Sequence, residues 1–140
     1  MRQFTPTELA RHFMEVVLPT MDGLAIGSYF AEEGTFQAHG KFSNYTEIKG
    51  PRAIEEYFDG LAKKVYTKGP ARLKVFFITA EQNRVVTEWR LSAETSGGPY
   101  ENRGATVIEF DQSGKINSVR QYLDTERVVD LLKIIDGPKR

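Results

Sequence analysis

The chain has 140 residues and a formal net charge of zero, which suits one domain over residues 1–140 and excludes the basic surface of a nucleic-acid-binding protein. It has no cysteine and two histidines, which excludes disulfides and thiolate metal sites, so we expect no metal and no cofactor. No apolar run approaches the roughly 20 residues of a membrane span and no signal segment precedes the first helix, so we expect a cytoplasmic protein without membrane contact.

Capping signals and apolar spacing predict two helices before the first strand. The first begins at Thr5, where a cap residue, a proline and a glutamate three positions later form a capping box, and it ends at Pro19. A second, short helix begins at Asp22 and extends through Phe30. The apolar residues of the first helix recur at helical spacing: Leu9, Phe13, Val16 and Val17.

A short strand and a longer helix follow in the middle of the chain. Thr35–His39 reads as a strand, and the polar stretch that continues to Gly50 carries either a second strand or a loop. Pro51 then begins a helix that ends at the Lys-Gly-Pro sequence of residues 68–70. Its apolar residues follow the helical period: Ile54, Tyr57, Phe58, Leu61 and Val65.

From Ala71 onward the pattern changes to four long strands separated by three turn segments, at 81–83, 96–99 and 111–114. Strands of about ten residues favour a sheet that coils over a flat one. A last helix spans Thr125–Ile135, with Asp124 as its cap. The predicted fold is therefore α+β, with a strongly curved antiparallel sheet packed on the N-terminal helices and with a C-terminal helix.

Alternation along the long strands assigns their side chains to two faces. In the second long strand Trp89 and Leu91 face inward, and in the last strand Gln121 is the one polar residue on the apolar side. Trp89 either stacks on a flat ligand or fills the core, and Gln121 either anchors a ligand or bonds within the protein.

The outer face of the sheet combines apolar and charged residues. Ala105, Val107 and Tyr122 lie among charges, which favours a homodimer through this face. The charged residues are expected to form cross-strand pairs: Glu88, Arg90, Arg103 and Arg120.

Four segments, within an order of helices followed by a meander, resemble the nuclear transport factor two-like superfamily. They read YFAEEGTF at 29–36, GPRAI at 50–54, IEFDQSGKI at 108–116 and VRQYLD at 119–124. Within that superfamily the chain is similar to the polyketide-cyclase (SnoaL-like) and steroid-isomerase-like branch. The resemblance implies a cystatin-like roll, in which the antiparallel sheet forms a cone packed on the N-terminal helices. It also implies a single SnoaL-like domain with a largely apolar pocket inside the cone.

The resemblance also locates the catalytic positions of characterised branches, and this chain departs from them. The base, tyrosine and aspartate of steroid isomerases correspond to Ala38, Met14 and Thr106, and the acidic residue of cyclase-like members corresponds to Gln121. An amide donates hydrogen bonds but exchanges no proton at neutral pH. The arginine and two aspartates of limonene-epoxide-hydrolase-like members correspond to Trp89, Leu91 and Gln121.

We expect the pocket to bind a small apolar organic molecule. Its function stays open between an isomerase or cyclase acting on a hydrophobic carbonyl compound without the usual acid and base, and a non-catalytic ligand-binding or protein-interaction domain. The polar candidates for a catalytic role are Gln121, His39 and Tyr29, although parity turns His39 to the outer face. The expected ligand-binding residues are Met14, Phe36, Ala38, Tyr57, Phe58, Trp89, Leu91, Thr106 and Gln121.

Overall fold

A computed structural model describes residues 4–137, and within them the chain forms four α-helices and six strands. The prediction of one domain over 1–140 thus includes six terminal residues, 1–3 and 138–140, that lie outside the described range. None of the helices in the described range is long and apolar enough to cross a membrane. In chain order the elements are α1 (Pro6–His12), α2 (Gly23–Gly27), β1 (Phe30–Ala38), β2 (Glu47–Lys49), α3 (Pro51–Lys64), β3 (Arg72–Glu81), β4 (Arg84–Thr95), β5 (Gly98–Phe110), β6 (Ile116–Leu123) and α4 (Thr125–Asp136).

The predicted capping box begins α1. The hydroxyl of Thr5 accepts from the amide of Glu8 at 3.2 Å, and the Glu8 carboxylate accepts from the amide of Thr5 at 3.0 Å. The helix then continues as a π-helical segment, Phe13–Val17. Val16 was expected in the core but is 55% exposed, because successive residues turn by about 100° and Val16 falls beside the buried stripe. That stripe comprises Ala10, Phe13, Met14, Val17 and Leu18.

The second helix is shorter than predicted. It ends at Gly27, and Phe30, which was expected to be helical, already pairs with Ile116 as the first residue of β1. Side chains at Gly23 and Gly27 would collide with the backbone of α3. These two glycines therefore let α2 lie directly against α3, and the close approach leaves β1 room to begin at Phe30.

The six strands form one sheet in the order β2-β1-β6-β5-β4-β3. The meander from β3 to β6 is antiparallel as predicted, and the polar stretch before Gly50 contains both a short strand, β2, and a turn. The pairing of β1 with β6 is parallel, with Phe36 opposite Val119 and Ala38 opposite Gln121. No hairpin joins these two strands, so local turn chemistry does not impose the antiparallel direction there, and the sheet is mixed.

Irregularities in three ladders accompany the curvature of the sheet. One register shift lies between Val75 and Phe77 of the edge strand β3. There the carboxylate of Glu15 accepts a hydrogen bond from the amide of Val75 at 2.9 Å, so the N-terminal helical segment covers part of an otherwise unpaired edge. The α+β class and the curved sheet agree with the prediction.

The inner face of the sheet and the helices share one hydrophobic core. Trp89, Leu91 and Ala93 of β4 are buried, as their alternation predicted. Trp89 lies opposite Gly104 of β5, and a side chain at Gly104 would collide with the indole ring and with the backbone of β6. The missing side chain thus provides the space that the indole ring occupies beside Gly104.

Candidate small-molecule cavity

A cavity of about 430 Å³ lies between the inner face of the sheet and helices α3 and α4. The strands contribute one wall, α3 and the residues after it a second, and α4 closes a third with Val128, Leu131 and Leu132. No described residue that lines the cavity carries a charge at neutral pH. Most of the lining is apolar, and its polar side chains are Ser43, Thr46, Tyr57, Tyr66, Tyr100, Asn102, Gln121 and the indole of Trp89.

The structure brings six of the nine expected ligand-binding residues to this cavity, namely Phe36, Ala38, Tyr57, Trp89, Leu91 and Gln121. The other three, Met14, Phe58 and Thr106, are buried in the core and do not line it. Met14 belongs to the stripe of the first helical segment, and Phe58 packs edge-on against Phe36. A position on the buried face of a helix or strand is thus not sufficient to place a residue in the cavity wall, because the helices fill part of the concave face of the sheet.

Thr106 lies directly behind the cavity wall. The indole N–H of Trp89 donates to its hydroxyl, with 2.8 Å between Nε1 and Oγ1. The polar atom of Trp89 is therefore already paired, and what the ring offers to the cavity is its apolar surface.

Gln121 lies on β6 and reaches the cavity from the strand that pairs with β1. Its backbone carbonyl accepts from the amide of His39 at 2.8 Å, but the structure gives its side-chain amide no hydrogen bond to another described residue. No fully buried side-chain nitrogen or oxygen among the described residues lacks a partner. The amide of Gln121 is thus accessible from the cavity, with both its donor and its acceptor free.

Two of the three polar candidates for catalysis lie outside the cavity. The ring of His39 stacks at 4.5 Å from the ring of Tyr122 on the outer side of the sheet, as its parity predicted. The hydroxyl of Tyr29 is 3.4 Å from Nε2 of His12 near α1. Neither His39 nor Tyr29 lines the cavity, so of the three candidates only Gln121 does.

Most of the cavity residues were not predicted from the sequence as binding residues, among them the polar side chains of Tyr66, Tyr100 and Asn102. Tyr100 and Asn102 share the inner face of β5 with Thr106, and this parity was a usable signal. Tyr66 follows the end of α3 in a segment without regular structure, where no periodicity indicates its direction.

The tyrosines of the cavity keep their protons. Burial raises the pKa of Tyr57, of Tyr66 and of Tyr100. Electrostatic repulsion from Tyr100 and Tyr57 further raises the pKa of Tyr66. All three are neutral hydrogen-bond donors at physiological pH.

Within residues 4–137 no three histidine, aspartate or glutamate side chains come together in a way that would hold a metal ion. The cavity itself presents only neutral oxygens, amides and rings. It thus has the composition typical of a site for a small organic molecule: apolar walls with a few convergent polar groups.

Comparison with known proteins agrees with this architecture. A profile described as "SnoaL-like domain" matches residues 10–119, and no curated protein matches the chain. Among solved structures, the chain is similar to PrhC from Penicillium brasilianum, with 16% identity, 94% of this chain and 91% of PrhC covered, and a TM-score of 0.81.

Two further solved structures have similar folds. One is the BvnE pinacolase from Penicillium brevicompactum, with 17% identity, 96% of this chain and 95% of that chain covered, and a TM-score of 0.78. The other is a protein with a ketosteroid isomerase-like fold from Catenulispora acidiphila, in complex with trimethylamine, with 16% identity, 96% of each chain covered and a TM-score of 0.76. These likenesses show the fold, and the profile shows the family. The chain belongs to the SnoaL-like domain family of the nuclear transport factor two-like superfamily.

Proposed function

We propose that this SnoaL-like protein binds a neutral, mostly apolar organic molecule in the cavity between the sheet, α3 and α4. The observation that carries the proposal is the absence of charge among the described lining residues, combined with their largely apolar surface. Placing an ionised ligand there would desolvate its charge without an opposite charge to compensate. A neutral ligand avoids that cost and gains from burial of its apolar surface.

The residues that line the cavity also bear on whether it can catalyse proton transfer. Proton transfer at neutral pH needs a group whose pKa lies near that pH, and the titratable groups that line the cavity are tyrosines whose pKa is raised by burial. Gln121 occupies the position that the family resemblance assigns to an acid, and its amide orients a ligand by hydrogen bonding. We therefore propose binding and positioning of the ligand as the function of the cavity, without acid–base catalysis by its side chains.

Binding of a ligand in the cavity can be measured by the fluorescence of Trp89. It is the single tryptophan of the sequence and it lines the cavity, so a ligand that enters should change its fluorescence. Ala38→Leu places extra volume in the cavity wall and is expected to weaken binding of neutral alicyclic and aromatic compounds at least tenfold. The matched control is Ala80→Leu, the same change at an exposed position of β3, which should leave binding unchanged.

Native mass spectrometry of the purified protein should detect a retained ligand that leaves chemically unaltered. Equal binding by wild type and Ala38→Leu would refute the cavity as the site. Conversion of a bound carbonyl compound would replace the binding proposal with the isomerase or cyclase alternative. In that case Gln121→Ala tests the amide as the substrate anchor, and unchanged turnover would exclude that role.

We further propose that the outer face of the sheet forms a homodimer. The register aligns Phe77, Glu88, Ala105 and Tyr122 across β3 to β6, and Phe77 is 71% and Tyr122 41% exposed. The exposed aromatic side chains of this row, with the charge of Glu88 between them, favour self-association. In analytical ultracentrifugation we expect the wild type to sediment as a dimer and the Phe77→Glu and Tyr122→Glu double variant to sediment as a monomer. A monomeric wild type would refute the proposal.

The cytoplasmic location expected from the sequence stays a prediction.

A further inference from the structure

The polar end of the cavity contains a side chain whose orientation is set by the backbone. Asn102 is buried on β5, and its Oδ1 accepts from the amide of Arg103 at 2.7 Å and from the amide of Asp124 at 3.2 Å. Its Nδ2 donates to the carbonyl of Asp124 at 3.1 Å. Backbone amides only donate and backbone carbonyls only accept, so these three bonds distinguish the oxygen of the Asn102 side chain from its nitrogen.

This orientation determines the direction of the Tyr100 hydroxyl. The Nδ2 of Asn102 lies 2.6 Å from the hydroxyl oxygen of Tyr100 and donates its remaining proton to it. The hydroxyl of Tyr100 is therefore an acceptor toward Asn102, and its own proton must point elsewhere. The structure records no described acceptor for that proton.

Asp124 is joined to Asn102 through its backbone, and the charge of its carboxylate contributes to the raised pKa of Tyr100. One of its oxygens accepts from the amides of Glu126 and Arg127 at the start of α4, and the other pairs with the Arg127 side chain at 3.4 Å. Asp124 is thus engaged as the helix cap. The remaining direction for the Tyr100 proton is the cavity that the residue lines.

Two more tyrosine hydroxyls belong to the same cavity, on the wall formed by α3 and the residues after it. Those of Tyr57 and Tyr66 line the cavity without a hydrogen-bond partner among residues 4–137. The amide oxygen of Asn102 already accepts two bonds, so Asn102 adds no free acceptor to the free donors of the three tyrosine hydroxyls. A carbonyl oxygen fits such a cluster, because it accepts two hydrogen bonds and brings no proton that needs an acceptor.

We propose that Tyr100 donates a hydrogen bond to a carbonyl oxygen of the ligand and that Asn102 is the positioning residue that aims this hydroxyl, so that the ligand class is a neutral alicyclic ketone or related carbonyl compound. This inference rests on the proposed binding function of the cavity. It adds to that function a defined polar contact and a preference for ligands that carry an acceptor oxygen.

The probes are the ketone decalone, its alcohol decalol and the hydrocarbon decalin, titrated into the full-length protein by calorimetry and Trp89 fluorescence. Wild type should bind decalone more tightly than decalin. Tyr100→Phe should weaken decalone by about tenfold, the value of one hydrogen bond, and leave decalin unchanged. Tyr45→Phe, the same change at an exposed residue outside the cavity, should leave both unchanged.

Asn102→Asp tests the positioning. A carboxylate accepts the proton of Tyr100 and turns it away from the cavity, so decalone should lose its advantage over decalin although Tyr100 is still present. A merely structural role would weaken both probes equally. If the aspartate variant folds poorly, Tyr100→Phe supplies the same test of affinity. The infrared carbonyl stretch of bound decalone is a second readout, and it should lie at lower frequency in wild type than in Tyr100→Phe.

The outcomes separate the two proposals. Equal affinity of wild type for decalone and decalin, tighter binding of decalol than decalone, or an unchanged ketone preference in Tyr100→Phe would overturn this inference and leave the binding function intact. Failure of all three probes to bind in the cavity would count against both.

Discussion

The indole N–H of Trp89 donates to the hydroxyl of Thr106 at 2.8 Å, between neighbouring strands β4 and β5. Thr106 is fully buried, so removal of its oxygen leaves the indole N–H without a partner. We expect Thr106→Val to lower the free energy of unfolding by about 1–3 kcal/mol and to shift the emission of Trp89. Thr106→Ser keeps the oxygen and should retain the wild-type emission. Equal stability of the valine variant and wild type in urea would refute this role.

Gly104 provides the space for the same indole ring. A methyl group there would collide with the carbonyl oxygen of Tyr122 and lie 3.0 Å from Cζ2 of Trp89. Gly104→Ala should therefore lower the free energy of unfolding by about 1–3 kcal/mol. Gly60→Ala is the contrasting control, since Gly60 lies within α3 with nothing near the new methyl group, and it should raise that free energy by about 0.5–1 kcal/mol. Loss of stability in both variants would argue against the collision as the cause.

Three cations lie in one row on the outer face of the sheet. Lys74 pairs with Arg90, and Arg90 pairs with Arg103, across β3, β4 and β5. None of the three forms an ion pair with a described residue, and Arg90 lies 5.1 Å above the ring of Phe76 instead. The expected cross-strand ion pairs of Arg90 and Arg103 are therefore absent from the described residues, because the register places like charges opposite one another.

Because the three cations of this row repel one another, we expect reversal of the charge of one of them to stabilise the folded state. Arg103→Glu should raise the free energy of unfolding by about 0.5–1 kcal/mol at low salt, since it replaces a repulsion by an attraction, and the gain should shrink at high salt. Lys68→Glu, at an exposed position after α3, is the matched reversal and should change little. A salt-independent effect in Arg103→Glu would contradict the electrostatic explanation.

Of the four residues expected to form cross-strand pairs, Arg120 is the one that does so within residues 4–137, and its partner is Glu109 and not Glu88. The carboxylate of Glu109 accepts from Arg120 at 2.7 Å and from Arg84 at 3.1 Å, and the hydrogen bond from Arg120 chiefly lowers the pKa of Glu109. A lowered pKa in the folded state stabilises the protein above the pKa of the unfolded chain, about 4.3, and this stabilisation is lost as the pH falls through the folded value.

Glu109→Gln should accordingly cost about 1 kcal/mol at pH 7 and progressively less below about pH 4. Denaturation of wild type and variant across this range measures the difference. Glu101→Gln, at an exposed residue of the same strand without an ion pair among the described residues, should show no such pH dependence. A constant difference between Glu109→Gln and wild type would contradict the assignment.

The parts of the fold that local chemistry controls were predictable. The capping box at Thr5, the cap of α4 at Asp124 and the turns of the meander are short-range features, and the alternation around Trp89 placed the indole on the inner face. The family resemblance added the cone and its pocket. Six of nine expected binding residues line that pocket, because parity selects the inner face of the strands for five of them and the helical period selects the inner face of α3 for Tyr57.

Other features depend on residues far apart in the chain. The parallel pairing of β1 with β6 joins strands that no hairpin connects, and Tyr66 and Tyr100 border one cavity although 34 positions separate them in the chain. Thr106 has the inward parity of a cavity residue, but it lies behind Trp89 and accepts its proton. Parity gives the face of a strand but not the depth of a residue behind that face.

By itself the sequence determined the helices, the meander and the inward faces, because capping, turn residues and apolar periodicity act over a few positions along one chain segment. Only the tertiary structure decided which inward residues border the cavity and which way the hydroxyl of Tyr100 points. Those properties arise where the amide of Asn102 meets the backbone of Arg103 and Asp124, since a hydrogen bond between distant segments exists only after the strands have paired.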